Sequence, residues 1–538
     1  MIQGSFRIFI LTLLGAALSV TASALDGAGV ETGNHSSKHM LSLPAGKRIK
    51  SDGATPATVS PTSAAGAKDL RTRLMPADSS KVNVNPTSLY TGPFVHDYSE
   101  GGLYGDYSIG STVHGDFRHQ NVQDVVALSI DGILTFLTND GKGNFTNAYK
   151  NLSQTATWVN INDAFAIDLD GDGWLDVLAF DGYSAAYVVW FNKGDGTFKD
   201  AVRTAIPFPD GMAPGNANIR PNGMAVGDID GDGKPDIMMA FSASDYTDGL
   251  YLMYLAGLKG NGDGTFQTAA FNNPLQFSSQ TYIGGISLAK MDGDSNLDVV
   301  VKFLQGGSYY SDGTEAYSVV PGTGAIKPGK WTMPTNWIAA STTRGGSFLV
   351  RDIDVDGKPD VLSAPGTGYV YLYKGDGAGN LGAAQTAITP PSYAYGMTLG
   401  DYNNDGYTDI ALFSDGAVRI YNGAANGAFA GTFSQEYPGG DANTHADTAF
   451  DLNGDGIDDF TWAEPQFNNL FSYRNNGDGT FNSYTALRPA NTATDGPNNT
   501  ESGIDFLALS KGDFNGDGLT DLLVEEGSSY IDIALNNG

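Results

Sequence analysis

The sequence predicts an all-β chain: a β-propeller of four-stranded antiparallel blades, with eight blades favoured. Three observations predict it. First, an acidic loop of the form D-x-[DN]-x-D-G-x-x-D occurs six times in full, beginning at Asp168, Asp228, Asp352, Asp401, Asp451 and Asp513. Second, each copy sits between short apolar strands, as in Met224-Ala-Val-Gly227 before the loop and Asp176-Val-Leu-Ala-Phe180 after it. Third, a glycine turn such as Asn192-Lys-Gly-Asp-Gly-Thr-Phe198 follows the third strand of the unit and leads into a fourth. Asn-Gly and Asp-Gly supply the positive φ that tight hairpins require. Four strands recurring about every 50 residues, with almost no helical periodicity, describe a blade whose faces are buried by its neighbours.

In chain order, Arg7 precedes the apolar run Ile8 to Val20, and Ala22-Ser-Ala24 offers a small-residue cleavage site. This is the pattern of a secretory signal peptide over residues 1–24. The run is shorter than the roughly 20 residues a membrane span needs, so it reads as export and not as an anchor. The expected destination is secretion, the periplasm or the cell surface. Residues 25–90 are rich in Ser, Thr, Ala, Gly and Pro and read as a disordered leader. The propeller is expected over 91–538. It opens on a faint unit at Asp116, which keeps only the first and ninth acids of the loop, at Asp116 and Asp124. A degenerate unit starts at Lys290 and places Ser295 where the others have the turn glycine. The eight starts are separated by 49 to 62 residues. The last unit ends before a fourth strand, and residues around Tyr90 to Val95 are placed to complete it and close the ring. Seven blades is the alternative if the unit at Asp116 is a cap.

The loop has a chemistry of its own. Oxygen donors at positions one, three, five and nine, with the backbone carbonyl of position seven, suit calcium, which takes six to eight oxygens. Gly173 stands where the loop turns sharply, and a residue without Cβ tolerates positive φ there. An EF-hand would need flanking helices and an acid at position twelve, but Ala179 and Met239 occupy that place. With 60 acidic against 30 basic residues the formal net charge is −30. Phosphate backbones would be repelled, so nucleic acid is not the expected partner. No cysteine is present, which excludes disulfides and thiolate chemistry.

These loops, with their flanking strands and Asn-x-Gly-Asp-Gly-Thr-Phe turns, resemble the FG-GAP/VCBS repeat family. That family includes the N-terminal propellers of integrin α-subunits and bacterial and fungal propeller lectins. The resemblance covers roughly residues 95 to 538 and implies a calcium-binding propeller, most often of seven blades. Carried over loop by loop, it implies about six structural calcium sites. The side-chain ligands would be Asp168, Asp170, Asp172 and Asp176; Asp228, Asp230, Asp232 and Asp236; and Asp352, Asp354, Asp356 and Asp360. The later sites would use Asp401, Asn403, Asp405 and Asp409; Asp451, Asn453, Asp455 and Asp459; and Asp513, Asn515, Asp517 and Asp521. Asparagine at position three removes one charge, so weaker binding is expected in those three. In the two irregular units Lys290 and Arg118 are expected to act as tethered cations in place of a metal.

No HExxH, GxSxG or Walker sequence occurs, and the six histidines are scattered singly. The sequence therefore leans towards recognition or adhesion, with a glycan or an extracellular protein as partner. A carbohydrate-active enzyme such as a polysaccharide lyase, or a structural envelope module, are the alternatives. Candidate recognition residues are Tyr309, Tyr310, Trp331 and Trp337, in segments that depart from the compact repeat, and Tyr393 and Tyr395, which follow Pro390-Pro391.

Overall fold

The computed structural model describes residues 94–100 and 109–536, except for 130–131, 152–160, 182–185, 207–217, 246–249, 268–274, 278–280, 295, 306–309, 321–324, 328–337, 341–347, 366–367, 392–393, 415–416, 439–445, 465–468, 483–484, 488–505 and 527–529. All lie within the unit Thr32–Gly538. The expected signal peptide and leader, and the candidate residues Tyr309, Trp331, Trp337 and Tyr393, fall outside the described residues.

Every regular element among the described residues is a strand. They assemble into eight four-stranded antiparallel sheets and one two-stranded hairpin. Sheet 1 shows the pattern: Ile109–Gly115, Asp124–Ser129, Leu134–Asn139 and Phe145–Asn151 pair in sequence order. Sheets 2 to 7 follow over residues 161–205, 218–277, 281–340, 348–388, 394–438 and 446–487. In sheet 8, Phe506–Gly512, Asp521–Glu526 and Tyr530–Asn536 are completed by Phe94–Glu100. Phe94 pairs with Asn536 and Glu100 with Ile531, so the two ends of the propeller segment share one sheet. Phe94 and Val95, from the stretch the sequence placed here, lie in this closing strand.

The uneven spacing of the repeats is a matter of strand length. Sheet 3 opens with strands of 10, 10 and 9 residues, whereas those of sheet 5 have four each.

Second strands are buried on both faces where all their residues are described, as in Asp124–Ser129, Asp176–Asp181 and Asp360–Ser363. Such runs cannot alternate apolar and polar residues, and Val125 to Leu128 and Val177 to Phe180 do not. Hydrophobic clusters join sheets 1 and 2, 2 and 3, 3 and 4, 4 and 5, 5 and 6, and 6 and 7. Another joins sheet 8 to sheet 1 through Leu523, Ile531 and Ile533 against Val125, Ala127 and Leu137. Sheets 7 and 8 meet where Asn536 Nδ2 donates to Leu452 O and Lys511 Nζ to Ala449 O. Contact between sheets is therefore cyclic.

Candidate metal centre

The acidic loop joins the first and second strands of every sheet, so the eight copies occupy equivalent places. Its second residue points inward. Phe117, Leu169, Ile229, Met291, Ile353, Tyr402, Leu452 and Phe514 are all at most 2% exposed, which makes each a plug between adjacent sheets. The signal was present in the sequence, since position two is apolar in every copy, but attention to the acids passes over it.

The neighbouring sheet holds this plug by its backbone. Asn192 Nδ2 donates to Phe117 O at 2.8 Å, Asn475 Nδ2 to Tyr402 O at 2.7 Å and Asn139 Nδ2 to Phe514 O at 2.6 Å. The third of these spans the junction between sheets 8 and 1. Sheets 3, 5 and 6 place Gly260, Gly375 and Gly423 at the same point of the turn. There a Cβ would meet a carbonyl oxygen at 2.0 to 2.1 Å, so no side chain fits.

The acids follow one scheme. The first aspartate caps the loop: Asp168 accepts from Gly171 N at 2.8 Å and Gly173 N at 2.9 Å, and Asp451 from Gly454 N and Gly456 N, each at 2.7 Å. The fifth accepts from the amide of position seven, as Asp172 does from Trp174 N and Asp405 from Tyr407 N, both at 2.8 Å. The ninth is buried and ties the loop to the glycine turn. Asp176 accepts from Leu169 N at 3.1 Å and Asn192 N at 2.8 Å, and Asp459 from Leu452 N at 2.7 Å and Asn475 N at 2.5 Å.

Burial is the main force on the ninth carboxylate. It pushes Asp176 up to about 7, with the negative Asp170 and Asp172 adding to the rise and backbone N–H donors opposing it. Asp298, Asp409, Asp459 and Asp521 are pushed up to about 6 in the same way, and Asp236 and Asp360 also rise. Several carboxylates held together without a positive partner favour protonation or a cation.

Among the described residues, three groups bring ligand atoms within 4.8 Å of one another: Asp168, Asp170 and Asp176; Asp228, Asp230 and Asp236; and Asp352, Asp354 and Asp356. Asp172, Asp232 and Asp360 belong to the same loops but lie outside these groups. In later loops the position-three amide turns towards position five: Asn403 Nδ2 donates to Asp405 Oδ2 at 3.0 Å and Asn515 Nδ2 to Asp517 Oδ2 at 2.9 Å. All side-chain donors are hard oxygens on a glycine-bent loop, with no thiolate or imidazole among the expected ligands, and this set fits calcium better than a softer ion.

The irregular units depart from expectation in one respect. In sheet 1, Arg118 does bind the ninth acid, with Nε 2.9 Å from Asp124 Oδ2 and Nη2 2.7 Å from Oδ1. In sheet 4 the cation on the loop is not Lys290, which is exposed, but Lys327, whose Nζ donates to Asp292 Oδ2. Lys290 has replaced the residue that caps the loop, and its long stem carries the ammonium out to solvent. Lys327 reaches in from the glycine turn.

The FG-GAP-like repeat matches at residues 116–179, 168–239, 352–412, 401–462 and 451–524. No curated protein sequence matches the chain. Among solved structures, an Agrocybe aegerita lectin that recognises non-reducing terminal N-acetylglucosamine is 16% identical with a TM-score of 0.40, covering 78% of this chain and all of that one. BBS1N, solved in complex with ARL6DN, is 9% identical with a TM-score of 0.41, covering 83% of this chain and 97% of that one. The Dos1 propeller is 9% identical with a TM-score of 0.45, covering 82% and 94%. With matched repeats over more than half of its length, in sheets paired as propeller blades, the chain belongs to the FG-GAP-like repeat family.

Proposed function

We propose that this chain is an exported, calcium-binding β-propeller of eight blades that serves as a recognition or adhesion module for a glycan or an extracellular protein. The observation that carries the reading is the recurrence of one hard-oxygen loop at the same place in successive sheets. A calcium ion bound there supplies positive charge to carboxylates that otherwise repel one another. An ion that binds only the folded loop stabilises the fold by mass action, and millimolar extracellular calcium suits such sites.

The chain's own residues supply the rest. The first aspartate bends the loop, the buried ninth aspartate fixes it to the glycine turn, and the position-two plug fixes it to the next sheet. Connections between sheets are where binding residues collect, and those leaving sheets 1, 2 and 7 are the longest. The net charge of −30 favours neutral or cationic partners over nucleic acid. No helix among the described residues is long and apolar enough to cross a membrane.

The test is a glycan array and a panel of extracellular matrix proteins, probed with the mature chain in calcium and in chelator. Calcium-dependent binding to a defined class supports the reading. New unsaturated or reducing ends on a bound polysaccharide would replace it with a lyase or hydrolase.

A further inference from the structure

Loops with aspartate at position three also receive a lysine. In sheet 3, Lys259 Nζ donates to Asp230 Oδ2 and lies 2.9 Å from Asp232 Oδ2. In sheet 5, Lys374 Nζ lies 2.8 Å from Asp354 Oδ2. In sheet 4, Lys327 Nζ donates to Asp292 Oδ2, and in sheet 2, Lys199 Nζ lies 4.0 Å from Asp170 Oδ2.

These lysines come from one structural place, the two ends of the glycine turn, which pair with each other through the backbone. Gln267 N donates to Lys259 O and Gly382 N to Lys374 O, while Lys327 N donates to Ser318 O and Lys199 N to Phe191 O. Lys259 and Lys374 therefore enter from one end of the turn, Lys199 and Lys327 from the other. The same backbone pairing identifies the turn ends of sheet 6 as Asn422 and Ala430, and of sheet 7 as Arg474 and Asn482. Neither has a lysine, and there position three is Asn403 or Asn453. In sheet 8, where position three is Asn515, Leu535 takes the place of Lys259, since Asn536 N donates to Asp521 Oδ1 as Gly260 N does to Asp236 Oδ1. Arg474 is the one cation at these places, in a sheet whose position three is the uncharged Asn453.

We infer that the turn lysines are charge-balancing residues, each making a position-three aspartate electrostatically equivalent to asparagine. Four aspartates with one lysine carry the same net charge as three aspartates with one asparagine. Counting the turn lysines alone, the six full loops then present one charge to a divalent cation, with Lys358 adding a further positive charge 3.0 Å from Asp356 Oδ2 in the third of them, and the asparagine loops lose their expected disadvantage. When the cation is removed, the Lys259 ammonium still holds positions three and five. Isolated surface pairs of this kind contribute little. The pattern here is their distribution, since position three and the turn change together. The affinity part of this inference rests on the calcium reading of the loops, but the metal-free part does not.

The test uses the mature chain and the variants Lys259→Met, which keeps an apolar stem, and Asp230→Asn/Lys259→Met. Calcium binding is followed by titration calorimetry and native mass spectrometry. Amide exchange of the 228–236 segment is followed in chelator. Lys259→Met is expected to tighten one site by about tenfold, because a like charge a few ångströms from the ion is removed. In chelator it should speed exchange of that segment several-fold. The double variant should return both quantities towards the parent values. Unchanged affinity together with unchanged exchange in Lys259→Met overturns the inference, as does loss of the site. Failure of the parent chain to take up calcium overturns the metal reading, and the exchange arm then decides the role of the lysine by itself.

Discussion

Asn139→Ala removes the side chain that bridges the closing junction of the ring. Asn139 is 2% exposed at the end of the strand Leu134–Asn139. Its Nδ2 donates to Phe514 O at 2.6 Å and to Gln123 O at 2.9 Å, and its Oδ1 accepts from Gly141 N at 2.9 Å. The backbone N–H, which donates to Asp124 Oδ1, survives the substitution. Three bonds are therefore lost, and two carbonyls and one amide lose a partner in or near a dry junction. At about 0.5–1.5 kcal/mol for each bond, with more for any group left buried without a partner, the loss is about 3 kcal/mol. Urea unfolding followed by circular dichroism, with calcium held constant, measures it. Asn144→Ala is the control, since its exposed bond to Asp140 at 2.9 Å lies in the same turn and should cost under about 0.5 kcal/mol. Equal effects for the two variants would refute the role given to the bridge.

Further outcomes follow from single contacts. Val355, at φ +60° and 57% exposed, stands where other loops have Gly171, Gly231, Gly454 or Gly516, so Val355→Gly should raise stability by about 1 kcal/mol in thermal unfolding. Arg118→Met leaves the fully buried Asp124 without its ion pair and should cost about 3–5 kcal/mol, read by the same urea method. The ninth aspartates set a pH dependence. Asp176 at about 7 and Asp298, Asp409, Asp459 and Asp521 at about 6 stand above their unfolded values near 3.8. The folded chain thus binds more protons than the unfolded chain between roughly pH 4 and 7. The stability these groups contribute in chelator is present below about pH 4 and declines as pH rises through 6 to 7. Calcium uptake at pH 6 should release protons, and affinity should climb to about pH 7 and then level off. Calorimetry in buffers of different ionisation enthalpy checks this.

Much of the fold was legible because repetition multiplies a weak signal. One Asp168-type loop suits several folds, but six copies between apolar runs and glycine turns leave few arrangements of strands. The closing strand was legible from the count of strands per unit, and its pairing with Tyr530–Asn536 joins the two ends of the propeller segment. What escaped reading depends on contacts between repeats. Asn139, Asn192 and Asn475 look like ordinary turn residues until the carbonyl each one reaches is known. Lys290 occupies a ligand position in the sequence, yet the cation on that loop is Lys327, 35 residues away from Asp292. Spacing within a motif fixes which side chains share a loop, but not what enters from a neighbouring turn. Of the candidate recognition aromatics, Tyr310 and Tyr395 lie in the regular strands Tyr310–Tyr317 and Ala394–Gly400 and so belong to the repeat after all.

The central claim is that the acidic loops are the metal centres of this propeller. Native mass spectrometry of the mature chain, after dialysis against calcium and then against chelator, tests it most directly. The account predicts about six calcium ions, one for each full loop, lost together with thermal stability in chelator. A chain that carries no calcium at millimolar concentrations, and melts alike in both conditions, would contradict it.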